Sequence, residues 1–197
     1  MREISLHILD LLENAVEAGA SKIEIKIEEG LKADRLLIEI SDNGCGMSKE
    51  LIGKVLDPFY TTRKTRHVEL GLPLFLEAAR RCEGDLVINS DPGKGTRVKA
   101  SFRHSHIDRA PLGDMSTALL AIFLSERPVD ITYCHRVNLQ EFRFDSSEIR
   151  KELEDISLTH PKVRDWLLQF LKEGEENLLP ERQLPERFQK RVADHKR

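Results

Sequence analysis

The sequence predicts an α+β protein, and three observations carry that reading. Apolar residues first recur at helical spacing, then alternate along neighbouring strand-like segments, and after residue 103 a helix followed by a hairpin pattern starts again. With 197 residues, the chain is longer than one compact domain needs and shorter than two large ones. A main domain over residues 1–103, a small separate α+β unit over 104–175 and a flexible tail over 176–197 are therefore expected.

The elements follow in order. Ile4, Ile8, Leu11, Leu12 and Ala15 mark one face of an amphipathic helix, and His7, Asp10, Asn14 and Glu17 are placed on the opposite, polar stripe. After "AGAS", the segment "KIEIKIEE" alternates Ile23, Ile25 and Ile27 with charged residues, which is the period of a half-buried strand. "RLLIEIS" reads as a second strand, and the Gly-rich loop "DNGCGM" follows it. Ser48 is the expected N-cap of a short helix, and a polar loop runs from Asp57 to Glu69. A helix from about Leu72 to Cys82 precedes two strands, "GDLVINS" and "GTRVKASF", joined through the turn-forming "DPGKG". In the second part, "MSTALLAIFLSE" reads as an apolar helix, and "VDITYCHRV" with "QEFRFD" as a hairpin. Helices are expected at about Ser147–Asp155 and at Pro161–Glu173, where Pro occupies the first turn.

Composition excludes several function classes. Hydrophobic residues make up 40% of the chain and charged residues 33%, without an apolar run near the roughly 18 residues of a membrane span, so a soluble, cytoplasmic protein with no membrane partner is expected. Cys45, Cys82 and Cys134 are odd in number and widely spaced, which suggests neither a disulfide framework nor a zinc site. Cys134, on a strand, is expected in the core. A net charge of −3 with interspersed signs gives no broad basic field, so nucleic acid is not an expected partner.

The candidate chemistry lies in four places. Asp10 and Asn14 are one helical turn apart, so an acid and an amide project side by side: one can orient water or substrate while the other touches a metal. Asp42 in "DNGCGM" offers a carboxylate acceptor suited to an exocyclic amine, and Gly44 and Gly46 are read as letting the backbone approach a flat ligand. Thr61, Thr62, Arg63, Lys64 and Arg66 place hydroxyls and cations on a loop long enough to close over a polyanion. Finally, "LGLP" (residues 70–73) opens a helix whose free amide hydrogens favour phosphate. Together these suggest an ATP site.

In that order the motifs resemble those of the GHKL ATPases, the superfamily of gyrase, histidine kinases and MutL. "LLENAVEAGASKIEI" resembles the N-box, "DNGCGM" the first glycine box, "DPFYTT" the F-box, and "LGLP" and "GKGT" the second and third glycine boxes. The resemblance covers residues 4–103. It implies a Bergerat-type two-layer α/β sandwich, with a mixed sheet, helices on one face, and a lid over the nucleotide at residues 59–70. It further implies ATP and Mg²⁺ as cofactors. Asn14 would be the metal ligand, Asp42 would accept a bond from the adenine amine, and Thr96 would assist at the base through water. Ala18, Gly44, Gly46, Met47, Thr61, Thr62, Arg63, Lys64, Leu70, Gly71 and Leu72 would be further nucleotide contacts. Asp10 stands at the general-base position, often Glu in the family, and its shorter side chain suits a kinase better than a hydrolase. His67 and Glu69 replace expected glycines, which predicts weak or lid-remodelled nucleotide binding.

The resemblance implies a histidine-kinase-like ATP-binding protein that lacks the phosphoacceptor hairpin and phosphorylates or switches a separate bacterial protein partner. The second unit would supply specificity or build a homodimer. A nucleotide-gated binding module without phosphoryl transfer is the alternative, and a MutL-like clamp ATPase is a third reading.

Overall fold

The computed structural model describes residues 3–57, 71–125, 127, 129–153 and 160–178. Within them run α1 (Ile4–Glu17), β1 (Lys22–Gly30), β2 (Arg35–Asp42), α2 (Lys49–Val55), α3 (Gly71–Arg81), β3 (Asp85–Ser90) and β4 (Thr96–Arg103). They are followed by α4 (Met115–Phe123), β5 (Asp130–Val137), β6 (Gln140–Asp145), α5 (Ser146–Leu153) and α6 (Pro161–Leu178).

The described strands form one six-stranded sheet in the order β3-β4-β2-β1-β5-β6. It is mixed, because β1 and β5 are parallel while the other neighbours are antiparallel. The alternation read from the sequence sets its two faces. Ile23, Ile25 and Ile27 of β1 lie on the covered face with Leu36, Ile38 and Ile40 of β2, Val98, Ala100 and Phe102 of β4, and Ile131 and Tyr133 of β5; all are buried. The opposite face carries ion pairs such as Lys26–Glu24 at 2.9 Å and Arg136–Glu28 at 2.6 Å. These partly exposed pairs contribute little to stability but keep the face wet. The fold is thus an α+β two-layer sandwich with a mixed sheet.

The stretch after residue 103 does not build a core of its own over 104–175. Its hairpin adds to the free edge of β1, and its α4 packs between α1 and α6. Leu119, Phe144 and Leu167 belong to the same buried cluster as Ile8 and Ile25. The linker is fastened as well: the Ile4 and Ser5 amides donate to the carbonyls of Pro111 and Leu112 at 3.0 and 2.7 Å. The physical reason is that β1 without β5 would leave an open sheet edge, and α4, apolar nearly all round, needs cover on more than one side. The restart of the pattern marks a crossing to the other edge of one sheet. α6 reaches Leu178, beyond the expected end at Glu173. The remaining tail, 179–197, lies outside the described residues.

Two single-residue expectations also change. His7 is not on a solvated stripe: it is 4% exposed and stacks on Phe75 of α3, with ring centroids 5.1 Å apart. Burial first, and a nearby positive charge second, push its pKa down to about 4. Cys134 points to the open side of the sheet and is only half-buried, because the covered positions of β5 are Ile131, Tyr133, His135 and Val137.

Candidate functional site

α1 ends at Glu17, and the turn after it meets the loop that leaves β2. Hydrogen bonds and one close approach join them. Asn43 Oδ1 accepts from the amides of Ser21 and Lys22, both at 2.9 Å, and its Nδ2 donates to Ser21 Oγ. The Cys45 amide donates to the Ala18 carbonyl at 2.9 Å. A Cβ on Gly44 would stand 2.9 Å from that same carbonyl, so only glycine lets loop and helix end meet this closely.

The loop is tied equally tightly to the β3–β4 turn. The Met47 amide donates to Ser90 Oγ at 2.8 Å, and the Gly93 amide donates to the Cys45 carbonyl at 2.7 Å. Gly46 adopts φ +65°, and a Cβ there would fall 2.0 Å from the Asp91 carbonyl. The glycines read from sequence as giving room to a flat ligand therefore give room to protein backbone. Gly44 serves contact with α1, and Gly46 serves contact with the β3–β4 turn.

These contacts frame a pocket of about 390 Å³ between α1, the end of β2, α2 and the start of α3. Leu11, Ala15, Ile40 and Val98 form an apolar lining, and Leu51 and Val55 contribute from α2. α2 starts where expected, with Ser48 Oγ accepting from the Leu51 amide at 3.2 Å. Of the residues singled out from sequence, Asn14, Ala18, Asp42, Gly46, Met47, Leu72 and Thr96 line this one pocket. Asp10, Gly44 and Gly71 do not. Asp10 abuts the first residue of α3, where a Cβ on Gly71 would stand 3.2 Å from the Asp10 Cβ. Thr61, Thr62, Arg63, Lys64 and Leu70, together with Arg66, His67 and Glu69, lie outside the described residues.

The polar groups of the pocket differ in how far they are satisfied. Asp42 Oδ1 accepts from the Gly44 amide at 2.8 Å. Burial raises the Asp42 pKa, and the amides of Gly44 and Thr96 oppose that rise. Asn14, one helical turn beyond Asp10, makes no side-chain hydrogen bond among the described residues. Burial, reinforced by the charge of Glu13, raises the Asp10 pKa and makes it a better proton acceptor than an ordinary Asp. The described residues contain no group of three His, Cys, Asp or Glu side chains placed to hold a metal.

Asn43 and Ser90 were not singled out from the sequence. Asn43 reads only as a turn former within "DNG", and Ser90 only as the last residue of a strand. The contacts by which they tie the β2 loop to its neighbours span 21 to 43 residues, and no local pattern announces them.

The described residues thus form a two-layer α+β sandwich with one pocket lined by apolar side chains together with Asp42 and Asn14. The family described as histidine kinase-, DNA gyrase B-, and HSP90-like ATPase matches residues 2–106, more than half of the chain, and the chain belongs to that family. Its relatives include the sensor protein kinase FleS of Pseudomonas aeruginosa, 38% identical over 89 residues, which are 45% of this chain and 22% of that protein. The signal transduction histidine-protein kinase AtoS of Escherichia coli (strain K12) is 38% identical over 89 residues, 45% of this chain and 14% of that one. The sensor histidine kinase YxdK of Bacillus subtilis (strain 168) is 32% identical over 97 residues, 47% of this chain and 30% of that one. The shared part is thus a minor fraction of each relative. No described helix is long and apolar enough to cross a membrane.

Proposed function

We propose that the chain binds Mg-ATP in the pocket between α1 and the β2 loop and passes the γ-phosphoryl group to a separate protein. The observation that carries this is the pairing, in one pocket, of Asp42 at the end of β2 with Asn14 on α1, whose amide makes no side-chain hydrogen bond among the described residues. Asp42 suits the exocyclic amine of adenine, and the apolar lining suits the faces of the base. A lone amide oxygen fits Mg²⁺, which is commonly held by one or two protein oxygens together with substrate phosphates. Mg²⁺ would supply charge neutralisation between the phosphates, and Asn14 would fix it to α1.

Transfer to a partner, rather than hydrolysis, is favoured by Asp10. Its side chain is one methylene shorter than the Glu that the family's ATPases often carry at this position, and so reaches less far towards a water that would attack the γ-phosphorus. In transfer, an acceptor side chain of the partner attacks the γ-phosphorus, the bond to the bridging oxygen breaks, and ADP leaves. Being shown to belong to the ATPase family and similar to sensor kinases over the same stretch supports this reading. The test is incubation of the protein with γ-labelled ATP and lysate of the source organism, alongside Asn14→Ala. Label on a host protein with wild type alone is the expected result. Nucleotide-dependent capture without label would replace transfer by a nucleotide-gated binding module.

A further inference from the structure

The base end of the pocket has a hydrogen-bond polarity that can be read from one hydroxyl. Ser90 Oγ lies within bonding distance of three groups: the Met47 amide at 2.8 Å, the Gly95 carbonyl at 2.8 Å and Thr96 Oγ1 at 2.9 Å. A serine hydroxyl has one hydrogen and two lone pairs. The Met47 N–H can only donate and takes one lone pair. The Gly95 carbonyl can only accept, and without a hydrogen between them two oxygens at 2.8 Å would repel, so the Ser90 hydrogen points to Gly95. What remains on Ser90 is a single lone pair, and the Thr96 hydroxyl must donate to it.

Thr96 lines the pocket, and with its only hydrogen directed at Ser90 its oxygen presents lone pairs alone. Beside it Asp42 is a second acceptor. We propose that Ser90 is a positioning residue that fixes Thr96 as an acceptor, so that the base end admits a purine with a 6-amino group and rejects a 6-oxo purine. This rests on the nucleotide reading above. An amine has hydrogens for both acceptors, whereas a carbonyl oxygen would face lone pairs and leave buried groups unpaired, which costs far more than a lost methyl contact.

The inference is tested by competing ATP and ITP, which differ only at the 6-position edge, against a fluorescent ATP analogue on the full chain. Wild type is expected to favour ATP by roughly 100-fold or more. Ser90→Ala frees the Thr96 hydroxyl to rotate and donate, and the preference should fall by about tenfold, mostly through tighter ITP binding. Ser90→Thr, which keeps the hydroxyl, should restore it. Should Ser90→Ala fail to fold, Thr96→Val decides: ATP binding should weaken about tenfold while ITP binding holds or improves. An ATP-to-ITP ratio unchanged in folded Ser90→Ala, or in Thr96→Val where Ser90→Ala does not fold, overturns the inference and leaves the nucleotide site intact. If wild type binds neither nucleotide, the site reading itself has failed.

Discussion

Two groups of polar side chains sit at opposite ends of the covered face of the sheet, and only one of them is internally complete. Asp42 pairs with Ile23 at the start of β1, whereas Glu29 lies near its end, about 20 Å away at a strand's rise per residue. Glu29 Oε2 bonds His104 Nε2 at 2.6 Å, and Glu29 Oε1 bonds His135 Nε2 at 3.1 Å. His135 Nδ1 bonds Glu175 Oε2 at 2.8 Å, and Tyr133 donates to Glu175 Oε1 at 2.8 Å. His135 is 2% exposed and Tyr133 is fully buried. At the pocket end, by contrast, Asn14 has no side-chain partner among the described residues and Asp42 accepts from backbone amides.

The difference separates a structural cluster from a site. In the first, every charge has an opposite charge or a hydroxyl in contact, so it fastens β1, β5, α6 and the linker to one another. In the second, acceptor capacity is left facing a cavity, which is what a ligand with donors and a metal would complete. On the proposed reading, incomplete pairing next to an open slot, rather than buried charge alone, is what distinguishes the site.

Cutting the complete cluster should have the largest effect on stability. His135→Ala leaves the half-buried Glu175 without its cation and Glu29 with His104 alone, and urea unfolding should show a loss of about 3 kcal/mol. ATP affinity of the folded fraction should remain near wild type. A loss below about 1 kcal/mol would mean that the cluster is solvated and the contrast between the two ends is false.

The pH dependence of stability sharpens the comparison. Burial would lower His135, but its bonds to Glu175 and Glu29 and their charges overcome this and hold it at about 9, against an ordinary 6.5. Its contribution is therefore full below 6.5 and is lost as pH rises to 9. Burial would raise Glu29, but the bonds from His135 and His104 hold it at about 2, against an ordinary 4.5, so its contribution is present above 4.5 and lost as pH falls to 2. His7, buried against Phe75 and held at about 4, favours the fold above 6.5 and ceases to do so as pH falls to 4. Stability should thus peak near pH 6.5, and His135→Ala should flatten the alkaline limb. An unchanged alkaline limb would remove His135 from the account.

The smallest effect should come at the pocket wall. Ser48→Ala removes the cap of α2, a helix with no buried residue, and costs about 1 kcal/mol or less locally. Because Leu51 and Val55 line the pocket, ATP affinity should drop by a few fold while global unfolding is unchanged. An affinity equal to wild type would show that α2 does not contribute to the site.

Most of the element order was legible, since periods of 3.6 and 2 report which residues face the core. Ile23, Ile25 and Ile27 were assigned to their strand and face in this way. What a period does not report is which strand lies next to which. The parallel pairing of β1 with β5 joins residues more than 100 positions apart, so the second part read as a separate unit. The Glu29 cluster escaped for the same reason: its bonds span 40 to 106 residues, and a carboxylate at the end of a strand resembles a solvated terminus. His7 was misplaced because helical spacing alone leaves a residue at the edge of the apolar stripe undecided, and Phe75 of α3 settles it. At the pocket, Asn14, Asp42 and Thr96 were found through the order of motifs, while Ser90 and Asn43 were not, because their work is to hold other residues.

The central claim is that Asp42 and Asn14 complete one Mg-ATP site from two ends, and isothermal titration of ATP with and without Mg²⁺ tests it most directly. Asp42→Asn should weaken binding by roughly 10- to 100-fold whether or not Mg²⁺ is present, and Asn14→Ala should weaken it only when Mg²⁺ is present. Wild-type affinity in both variants, under both conditions, would contradict the claim.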